Sequence, residues 1–416
     1  MTPRRIAVIG AGAAGTMAAI FATGPDTEVV LCEGTRDGGR KILISGGGRC
    51  NVLPLRMDEL KYVTASSPNT LKKILRSWPL KEQRAFFEDV VGIPLAEEVE
   101  SAKVFPASHK ARDVRDGLVQ LANRRGVSCL FGARVVGIEP LPGAVPRWRV
   151  QREGARPLDV DAVIIATGGL SVPATGSDGS GLDWARALGH TIHPTYAALT
   201  PITARPESLG PFGALSGISL DVEVRARNPA SEAQSTRGFL FTHRGYSGPA
   251  LLDVSHVATR TRLGVDPGPA EVRVRWTPQM GDAEWEAALQ PQGTRTVGGA
   301  VREHLPQRLA DALLQRAGVE PAVPLAQLPR DARRRVLDEL LRCALPWAGD
   351  EGYKKAEVMG GGVALSEVDP KTLESRLAPG VFLCGEVLDA FGPIGGFNFA
   401  WAWATGRAAG LGAKGG

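Results

Sequence analysis

The first residues whose types and spacing suggest chemistry lie close to the N-terminus. They fit the pattern G-x-G-x-x-G, formed by Gly10, Ala11, Gly12, Ala13, Ala14 and Gly15. In a nucleotide-binding turn the first glycine permits a tight turn, the second lets a pyrophosphate approach the backbone, and the third lets helix and strand pack closely. The helix that follows would offer free N–H groups and the positive end of its dipole to phosphates. The pattern therefore predicts a dinucleotide site.

An acidic residue supports this interpretation. Glu33 follows an apolar run at 27–31 and lies 23 positions after Gly10. A carboxylate at the end of the second strand can accept hydrogen bonds from both ribose hydroxyls, and it disfavours a 2′-phosphate. Gly34 follows it in the same turn. The alternative is a glycine-rich turn in an unrelated βαβ unit.

The next segment favours FAD over NAD. Within twenty residues of Glu33 the chain has a glycine-rich, cationic stretch, with Arg40, Lys41, Gly47, Gly48, Arg49, Cys50 and Asn51 as candidate cofactor residues. Consecutive glycines can form an anion-accepting nest, and the three cations can offset phosphate charge. The stretch stands where the second half of a long cofactor would run. The alternative is a flexible surface loop.

Two later segments are expected to return to the same cofactor. A buried strand at 161–165 leads into Ala166, Thr167 and Gly168, and upstream strands at 127–131 and 134–139 are expected in the same sheet, with Val135 near an adenine. A second buried strand at 380–384 precedes Gly385, Glu386 and Asp389, and a small-residue helix then begins near Gly395, Gly396, Phe397 and Asn398. An acid there can bind ribityl hydroxyls, and the helix start can stabilise an anionic reduced flavin. The alternatives are ordinary sheet strands and an ordinary C-terminal βα unit.

The elements that must position these residues form an α/β chain in three segments. Residues 1–195 and 348–416 are predicted as one FAD-binding domain, interrupted by a substrate or cap domain at 196–347. Alternating segments at 220–226 and 270–276 predict half-exposed antiparallel strands, and 309–316 and 330–342 predict amphipathic helices.

Composition narrows the class of protein. The 416 residues have 49 Lys and Arg against 44 Asp and Glu, a formal charge of +5 that is not a nucleic-acid-binding signature. The five cysteines include no C-x-x-C pair and the six histidines no ligand pattern, so no disulfide framework or metal site is expected. The uncharged run at 6–24 follows Arg4 and Arg5 like a signal peptide, but its glycines favour a buried strand and helix. We expect a cytoplasmic protein without a membrane segment; the oligomeric state is not predicted.

With these motifs assembled, the chain resembles the BaiN-like (YhiN-like) NAD(P)/FAD-dependent flavoproteins of the glutathione-reductase-type FAD superfamily. The resemblance runs almost end to end, and its most specific marks are the segments 39–51, 104–111, 174–181, 240–249 and 385–398. It implies non-covalent FAD on a three-layer ββα Rossmann-like dinucleotide domain, interrupted by a β-barrel-like domain with helices. It also implies reduction of FAD by NAD(P)H, and reduction of an activated C=C bond in steroid-like enones or in uracil of ribosomal RNA.

Alkene reduction also needs a proton donor. Cys50 is one candidate because the adjacent Arg49 would lower its pKa; the alternative is a small buried filler. His243 and Tyr246, with Arg244, lie in a family motif of the insert and could face the flavin, although His243 could equally cap a strand end. His109 and Lys110 could meet a phosphate or merely face solvent.

Three functions compete. The leading one is an FAD-dependent NAD(P)H oxidoreductase acting on a small molecule, although no second G-x-G-x-x-G indicates a separate NAD(P)H fold. A rival reduces uridine in RNA, using a basic face formed by Lys72, Lys73, Arg76, Lys81, Arg84, Arg124, Arg125, Arg333, Arg334 and Arg335. Such clusters are more often solvated helix faces. A third is a flavin-binding redox sensor without turnover.

Overall fold

Short apolar runs and helix-forming runs alternate along the first half of the chain, and a computed structural model shows the elements they form. It describes residues 2–143, 147–291 and 293–415. The strands up to residue 198 are β1 (Arg4–Ile9), β2 (Thr27–Glu33), β3 (Leu53–Pro54), β4 (Leu95–Glu98), β5 (Lys103–Pro106), β6 (Ser128–Phe131), β7 (Val135–Pro140), β8 (Trp148–Arg152), β9 (Leu158–Val160), β10 (Ala162–Ile165) and β11 (Ile192–Ala198). The helices are α1 (Ala13–Ala22), α2 (Arg40–Ile44), α3 (Pro68–Arg76), α4 (Leu80–Ala85), α5 (Ala111–Arg124) and α6 (Ser180–Ala187).

The remaining elements follow in two groups. The middle of the chain has β12 (Ile202–Thr203), β13 (Ser219–Arg227), β14 (Glu232–Thr242), β15 (Gly245–Ser247), β16 (Glu271–Arg275), β17 (Cys343–Ala344) and β18 (Gly349–Asp350), with α7 (Pro206–Leu209), α8 (Pro249–Arg262), α9 (Asp282–Ala288), α10 (Val297–Arg302), α11 (Gln307–Arg316) and α12 (Arg330–Leu341). The chain ends with β19 (Val358–Val363), β20 (Val381–Leu383) and α13 (Phe397–Lys414). Single 3-10 or π turns lie at Ser45–Gly48, Glu59–Lys61, Phe86–Val91, Pro173–Thr175, Gly210–Leu215, Leu325–Gln327, Leu365–Glu367 and Gly385–Val387.

A five-stranded parallel sheet in the order β20-β10-β1-β2-β6 is the centre of the first unit. Ile6 on β1 is paired with Val29 on β2 and with Ala162 on β10. The inner strands are buried on both faces, with every residue of β10 fully inaccessible. This explains why they are continuous apolar runs without alternation.

Helices α1 and α13 lie so close together that only glycine fits between them. A methyl group at Gly406 would come within 2.3 Å of the Ala14 carbonyl oxygen, and one at Gly410 within 2.4 Å of the Ala18 carbonyl oxygen. Both helices are apolar almost all round, as expected for buried helices. The C-terminal helix therefore holds the first helix, and with it the glycine turn, in place.

One strand assignment from the sequence is wrong. The segment at 127–131 joins the parallel sheet as β6, as expected, but the segment at 134–139 does not. Instead β7 pairs with β8 in a separate three-stranded antiparallel sheet, β7-β8-β9. Its partner β8 alternates apolar and polar residues, which is typical of an antiparallel strand with one solvated face. A second small sheet, β3-β5-β4, is also antiparallel, and β11 pairs with β19.

The chain divides into two compact units, residues 1–195 with 358–416, and residues 196–357. Residues 348–357, expected in the returning segment, belong to the second unit instead. There a seven-stranded antiparallel sheet has the order β17-β16-β13-β14-β15-β12-β18. Its core is aromatic, with Phe241 stacked on Trp276 at a centroid distance of 5.5 Å. Within the described residues no helix is both long enough and apolar enough to cross a membrane.

Candidate functional site

The predicted cofactor residues of the first unit converge on one edge of the parallel sheet. Because the strands are parallel, the carboxyl ends of β1, β2, β10 and β20 meet there. Gly10 follows β1, Ala166 follows β10, and Gly385 follows β20 closely, while Glu33 is the last residue of β2. Ligands of open α/β sheets bind at this edge, where the connections diverge to the two faces.

The three motif glycines have different surroundings. Gly10 has φ +101°, and a methyl group there would lie 2.6 Å from the Ala166 carbonyl oxygen. A methyl group at Gly15 would lie 1.8 Å from the Gly10 carbonyl oxygen. At Gly12 a methyl group would meet nothing within 4 Å. Gly10 and Gly15 are therefore needed for the turn itself, whereas the space at Gly12 is open to a ligand.

The start of α1 has backbone N–H groups that are available to a ligand. Gly12 is the N-cap and no side chain caps the helix. In the part of the chain that the structure describes, the N–H groups of Gly12, Ala13 and Ala14 have no hydrogen-bond acceptor. Unpaired donors at a helix N-terminus are suited to an anion such as a pyrophosphate.

The carboxylate of Glu33 is hydrogen-bonded to the glycine turn at 10–15 and stabilises it. Its Oε2 accepts the N–H of Ala11 at 2.7 Å, and its Oε1 accepts both the N–H and the hydroxyl of Thr35, at 2.8 and 2.6 Å. Gly34 lies beside Arg134, so the segment leading to Val135 runs along this end of the sheet. The Oε2 atom, which accepts one hydrogen bond, keeps a lone pair that a ribose hydroxyl can use.

The loop after Gly38 folds back against the glycine turn. The N–H of Gly39 donates to the Ala11 carbonyl at 2.8 Å. Gly46, Gly47 and Gly48 all have positive φ, and a methyl group at Gly47 would meet nothing within 4 Å. The Oδ1 atom of Asn51 is buried without a hydrogen-bond partner among the described residues. A buried acceptor of this kind needs a donor from outside the chain.

The cations of this loop are paired with protein carboxylates. Lys41 Nζ lies 2.6 Å from Glu386 Oε2 and 2.7 Å from Ser171 Oγ. Arg40 pairs with Asp37 at 2.9 Å on the surface. Arg49 pairs with Glu98 at 2.9 Å and lies over the ring of Phe105 at 4.1 Å. Carboxylates of the chain therefore already compensate these three positive charges, which leaves less of that charge to offset a phosphate.

Asp389 is held by a loop of its own unit. Its carboxylate is 2% exposed, and its Oδ2 accepts the N–H groups of Ala65 and Ser66 and the hydroxyls of Thr64 and Ser66, each at 2.9 Å. With four donors on one oxygen, Asp389 is better explained as an anchor for residues 64–66 than as a ligand of ribityl hydroxyls.

The start of α13 combines a tight approach with uncapped donors. Gly396 has φ +92°, and a methyl group there would lie 2.3 Å from the carbonyl carbon of Leu53. No side chain caps the helix. The amide of Asn398 makes two hydrogen bonds with the backbone of Gly392, at 2.9 and 3.0 Å, so it closes the loop that contains Gly395. Tyr62 donates its hydroxyl proton to the Phe397 carbonyl at 2.8 Å.

These features fit a dinucleotide cofactor. An open glycine position, two helix starts without a side-chain cap and the Asn51 oxygen without a partner among the described residues lie in segments that meet at or fold against one sheet edge. The residues that would hold the phosphates are those of the turn at 10–15, with Glu33 at the ribose end and the 385–398 segment at the flavin end. Ala166, Thr167 and Gly168 follow β10 between them.

Cys50 is not the acidic thiol that the sequence suggested. It is fully buried, and burial raises its pKa to about 12, opposite to the lowering expected from Arg49. The side chain of Arg49 is instead engaged by Glu98. A thiol so weakly acidic and without solvent contact is a poor proton donor at neutral pH.

Tyr246 and His243 differ in their exposure to solvent. Tyr246 is fully inaccessible in the aromatic core of the second unit, where burial raises its pKa. Its ring lies 5.8 Å from that of Phe239, so it packs as a core residue. His243 is exposed in the turn between β14 and β15 and lines a cavity of the second unit. Of Cys50, His243 and Tyr246, only His243 is exposed and lines this cavity.

Two of the ten basic residues considered for RNA are paired with carboxylates. Arg76 makes two hydrogen bonds to Glu59, and Arg84 contacts Glu88 and Glu97. Arg125 is partly buried, which lowers its pKa. The charges of Arg76 and Arg84 are thus compensated within the chain.

Several residues of the site could not be predicted from the sequence. Ser171 bridges Lys41 and Glu386, and Tyr62 ties Phe397 to the chain more than 300 residues earlier. No local pattern indicates either. Thr35 could have been found, because a hydroxyl two residues after an acid commonly closes a turn on it.

A family model described as the HI0933-like protein Rossmann domain matches residues 4–412. The chain belongs to this family. The match covers both units, and it confirms the predicted family and α/β fold. The predicted class is confirmed with it: this HI0933-like chain is an FAD-dependent oxidoreductase.

Two kinds of curated relative match this HI0933-like chain along nearly its whole length. The 3-dehydro-bile acid delta(4,6)-reductase of Clostridium scindens is 31% identical over 414 residues, 98% of each chain. The ribosomal RNA dihydrouridine synthase of Escherichia coli is 31% identical over 409 residues, 96% of this chain and 95% of the relative. Among solved structures, 3-ketosteroid delta1-dehydrogenase from Sterolibacterium denitrificans has a similar fold, with a TM-score of 0.50, 12% identity and 99% coverage of both chains.

Proposed function

We propose that the protein uses FAD to reduce an activated C=C bond of a small molecule, with NAD(P)H as the electron donor. The observation that supports the cofactor part is the open, donor-rich turn at Gly12 on the carboxyl edge of the parallel sheet. The observation that supports the reaction comes from the names of the curated relatives. The names of the two kinds of relative, a steroid-type delta(4,6)-reductase and a dihydrouridine synthase, both denote saturation of a C=C bond conjugated to a carbonyl.

FAD supplies a hydride carrier at N5 when it is bound. The chain's own contribution begins with binding. The N–H groups of Gly12, Ala13 and Ala14 would hold the pyrophosphate, and Glu33 the adenosine ribose. The uncapped start of α13 would direct its positive end to the flavin, where it favours negative charge on the ring.

Proton delivery is assigned to His243. After hydride reaches the β-carbon of an enone, a proton must reach the α-carbon, and the donor must be accessible. His243 is exposed and lines a cavity, whereas Cys50 and Tyr246 are fully buried. His243 is therefore the proposed proton donor in place of Cys50 and Tyr246.

Uridine in RNA is the second candidate substrate. Two relatives, from Escherichia coli and Haemophilus influenzae, are named as ribosomal RNA dihydrouridine synthases. Arg76 and Arg84 are paired with neighbouring carboxylates, which reduces the free positive charge on α3 and α4. We therefore rank a free small molecule first.

The test is an anaerobic titration of the FAD-loaded protein with NADH and with NADPH, followed by an enone or by unmodified ribosomal RNA. We expect flavin bleaching by at least one nucleotide and recovery of the oxidised spectrum with the enone. Recovery with RNA alone would favour the uridine function. Bleaching by neither nucleotide would contradict the assignment of the donor, and no recovery with any oxidant would favour a redox sensor.

A further inference from the structure

The second unit contains a cavity of about 520 Å³ that is built from its own strands. It is lined by Pro201, Leu240, Thr242, His243, Arg244, Ser247, Glu351, Lys354 and Lys355. These residues come from neighbouring strands of the seven-stranded sheet and the turns at their ends, since β14 pairs with β15, β15 with β12, and β12 with β18. Its volume is in the range of small-molecule sites.

The charges of this cavity do not balance. Arg244 Nη1 lies 3.7 Å from Glu351 Oε1, which compensates one cation with the single carboxylate of the lining. Lys354 and Lys355 remain, and neither has an ion-pair partner among the residues that the structure describes. Both are exposed, so their side chains are free to turn toward a ligand. The lining therefore has two uncompensated positive charges.

The rest of the lining suits a mixed ligand. Leu240 and Pro201 offer an apolar wall, and the hydroxyl of Ser247 has no hydrogen-bond partner within the described chain. An ammonium pair beside a free hydroxyl is a combination that recognises carboxylate or phosphate oxygens. An apolar wall with a few charged groups is also the usual composition of a small-molecule site.

We propose that this cavity binds an oxyanion, a carboxylate or a phosphate, through Lys354 and Lys355, with Ser247 as a neutral partner. Insofar as the anion belongs to a ligand that exchanges hydride with FAD, the inference rests on the proposed function. Two sources share this chemistry, a phosphate of the nicotinamide dinucleotide and an acidic group on the enone. His243 lies in the same lining, so an anion held there would keep its ligand beside the assigned proton donor.

Binding is tested first without turnover. Inorganic phosphate is titrated calorimetrically into the FAD-loaded protein at low ionic strength, using wild type and the double variant K354Q/K355Q. We expect the double variant to weaken phosphate binding about tenfold or more, because charge-assisted hydrogen bonds are lost. The control is K61Q/K371Q, which removes two exposed positive charges outside the cavity. Equal phosphate affinity in both double variants would overturn the proposal.

Turnover then identifies the source of the anion. In K354Q/K355Q we expect KM to rise about tenfold for the ligand that brings the anion, with kcat nearly unchanged, since the contact is made equally before and during reaction. A rise for NADPH or NADH assigns a dinucleotide phosphate. A rise for a carboxylated enone, but not for its methyl ester, assigns the substrate. An equal rise for the acid and the ester would contradict anion recognition.

Failure of the two proposals can be told apart. If the protein oxidises no nicotinamide and reduces no enone, the proposed function fails, but the phosphate titration still reports on the cavity. If turnover is normal and phosphate binding is the same in all three proteins, the function stands and the cavity assignment is wrong.

Discussion

Lys41 and Glu386 form an ion pair, Nζ to Oε2 at 2.6 Å, although 345 residues separate them in the chain. The second carboxylate oxygen of Glu386 accepts the N–H of Met359 at 2.8 Å and contacts the hydroxyl of Ser171. The pair thereby joins α2, which contains Lys41, to the turn after β20, which contains Glu386. The pair therefore links two of the segments that contain predicted cofactor residues.

Breaking this pair should loosen the site. In Lys41→Met the carboxylate of Glu386, only 16% exposed, loses its cation, and we expect about 1–2 kcal/mol of destabilisation. Urea unfolding of the FAD-free protein measures it. The matched control is Arg40→Met, whose partner Asp37 is 47% exposed, and a change within about 0.5 kcal/mol is expected there. Equal losses in the two variants would contradict a special role for Lys41.

Two glycines of one motif should respond oppositely to alanine. In Gly12→Ala the new methyl group meets nothing within 4 Å and φ is −77°, so the fold should be unchanged. FAD affinity should fall about tenfold or more, because the methyl group occupies the space of the pyrophosphate. In Gly15→Ala the methyl group would lie 1.8 Å from the Gly10 carbonyl oxygen, so the fold itself should suffer. Fluorescence titration with FAD and thermal unfolding separate the two effects; unchanged FAD affinity in a folded Gly12→Ala would contradict the site.

What the sequence predicted well was local. The glycine turn, the strand before it and the acid at the end of β2 all occur where expected, because this pattern of strand, turn, helix and strand is contained within about thirty residues. The contacts of Tyr246, Asp389 and Lys41 could not be predicted, for one shared reason. Each is defined by partners far away in the chain, in an aromatic core, in the 64–66 loop and in the turn after β20, and no spacing reveals such partners.

The buried cysteine should be chemically silent. Burial raises the pKa of Cys50 to about 12, so at pH 8 its thiolate is scarce as well as inaccessible. We expect iodoacetamide to label the half-exposed Cys129 first and to leave Cys50 unmodified in the native protein, as mass spectrometry of peptides would report. Cys50→Ser should retain the rate of flavin reoxidation by an enone within about twofold, since no proton is drawn from it. Early alkylation of Cys50 with loss of activity would reverse this assignment.

Acid should destabilise the second unit through a histidine. Burial lowers the pKa of His256 from 6.5 to about 4, so the folded state resists protonation while the unfolded state accepts it near pH 6.5. Stability from this group is present above pH 6.5 and is lost as the pH falls, by about 3 kcal/mol on reaching pH 4. Urea unfolding between pH 7 and 5 should show this slope in wild type and in the exposed-site control His243→Gln, and a flatter one in His256→Gln. Identical slopes in all three proteins would show that His256 does not titrate as described.

The central claim is hydride transfer from FAD to an activated C=C bond, and it can be measured without knowing the natural donor. The FAD-loaded protein is photoreduced under anaerobic conditions with EDTA as the sacrificial electron donor, and it is then mixed with a steroid enone or with the corresponding saturated ketone. We predict that the enone restores the oxidised flavin spectrum and yields an equimolar saturated product, while the saturated ketone does neither. Flavin that stays reduced with steroid enones, uridine and ribosomal RNA alike, yet reoxidises in air, would contradict the account.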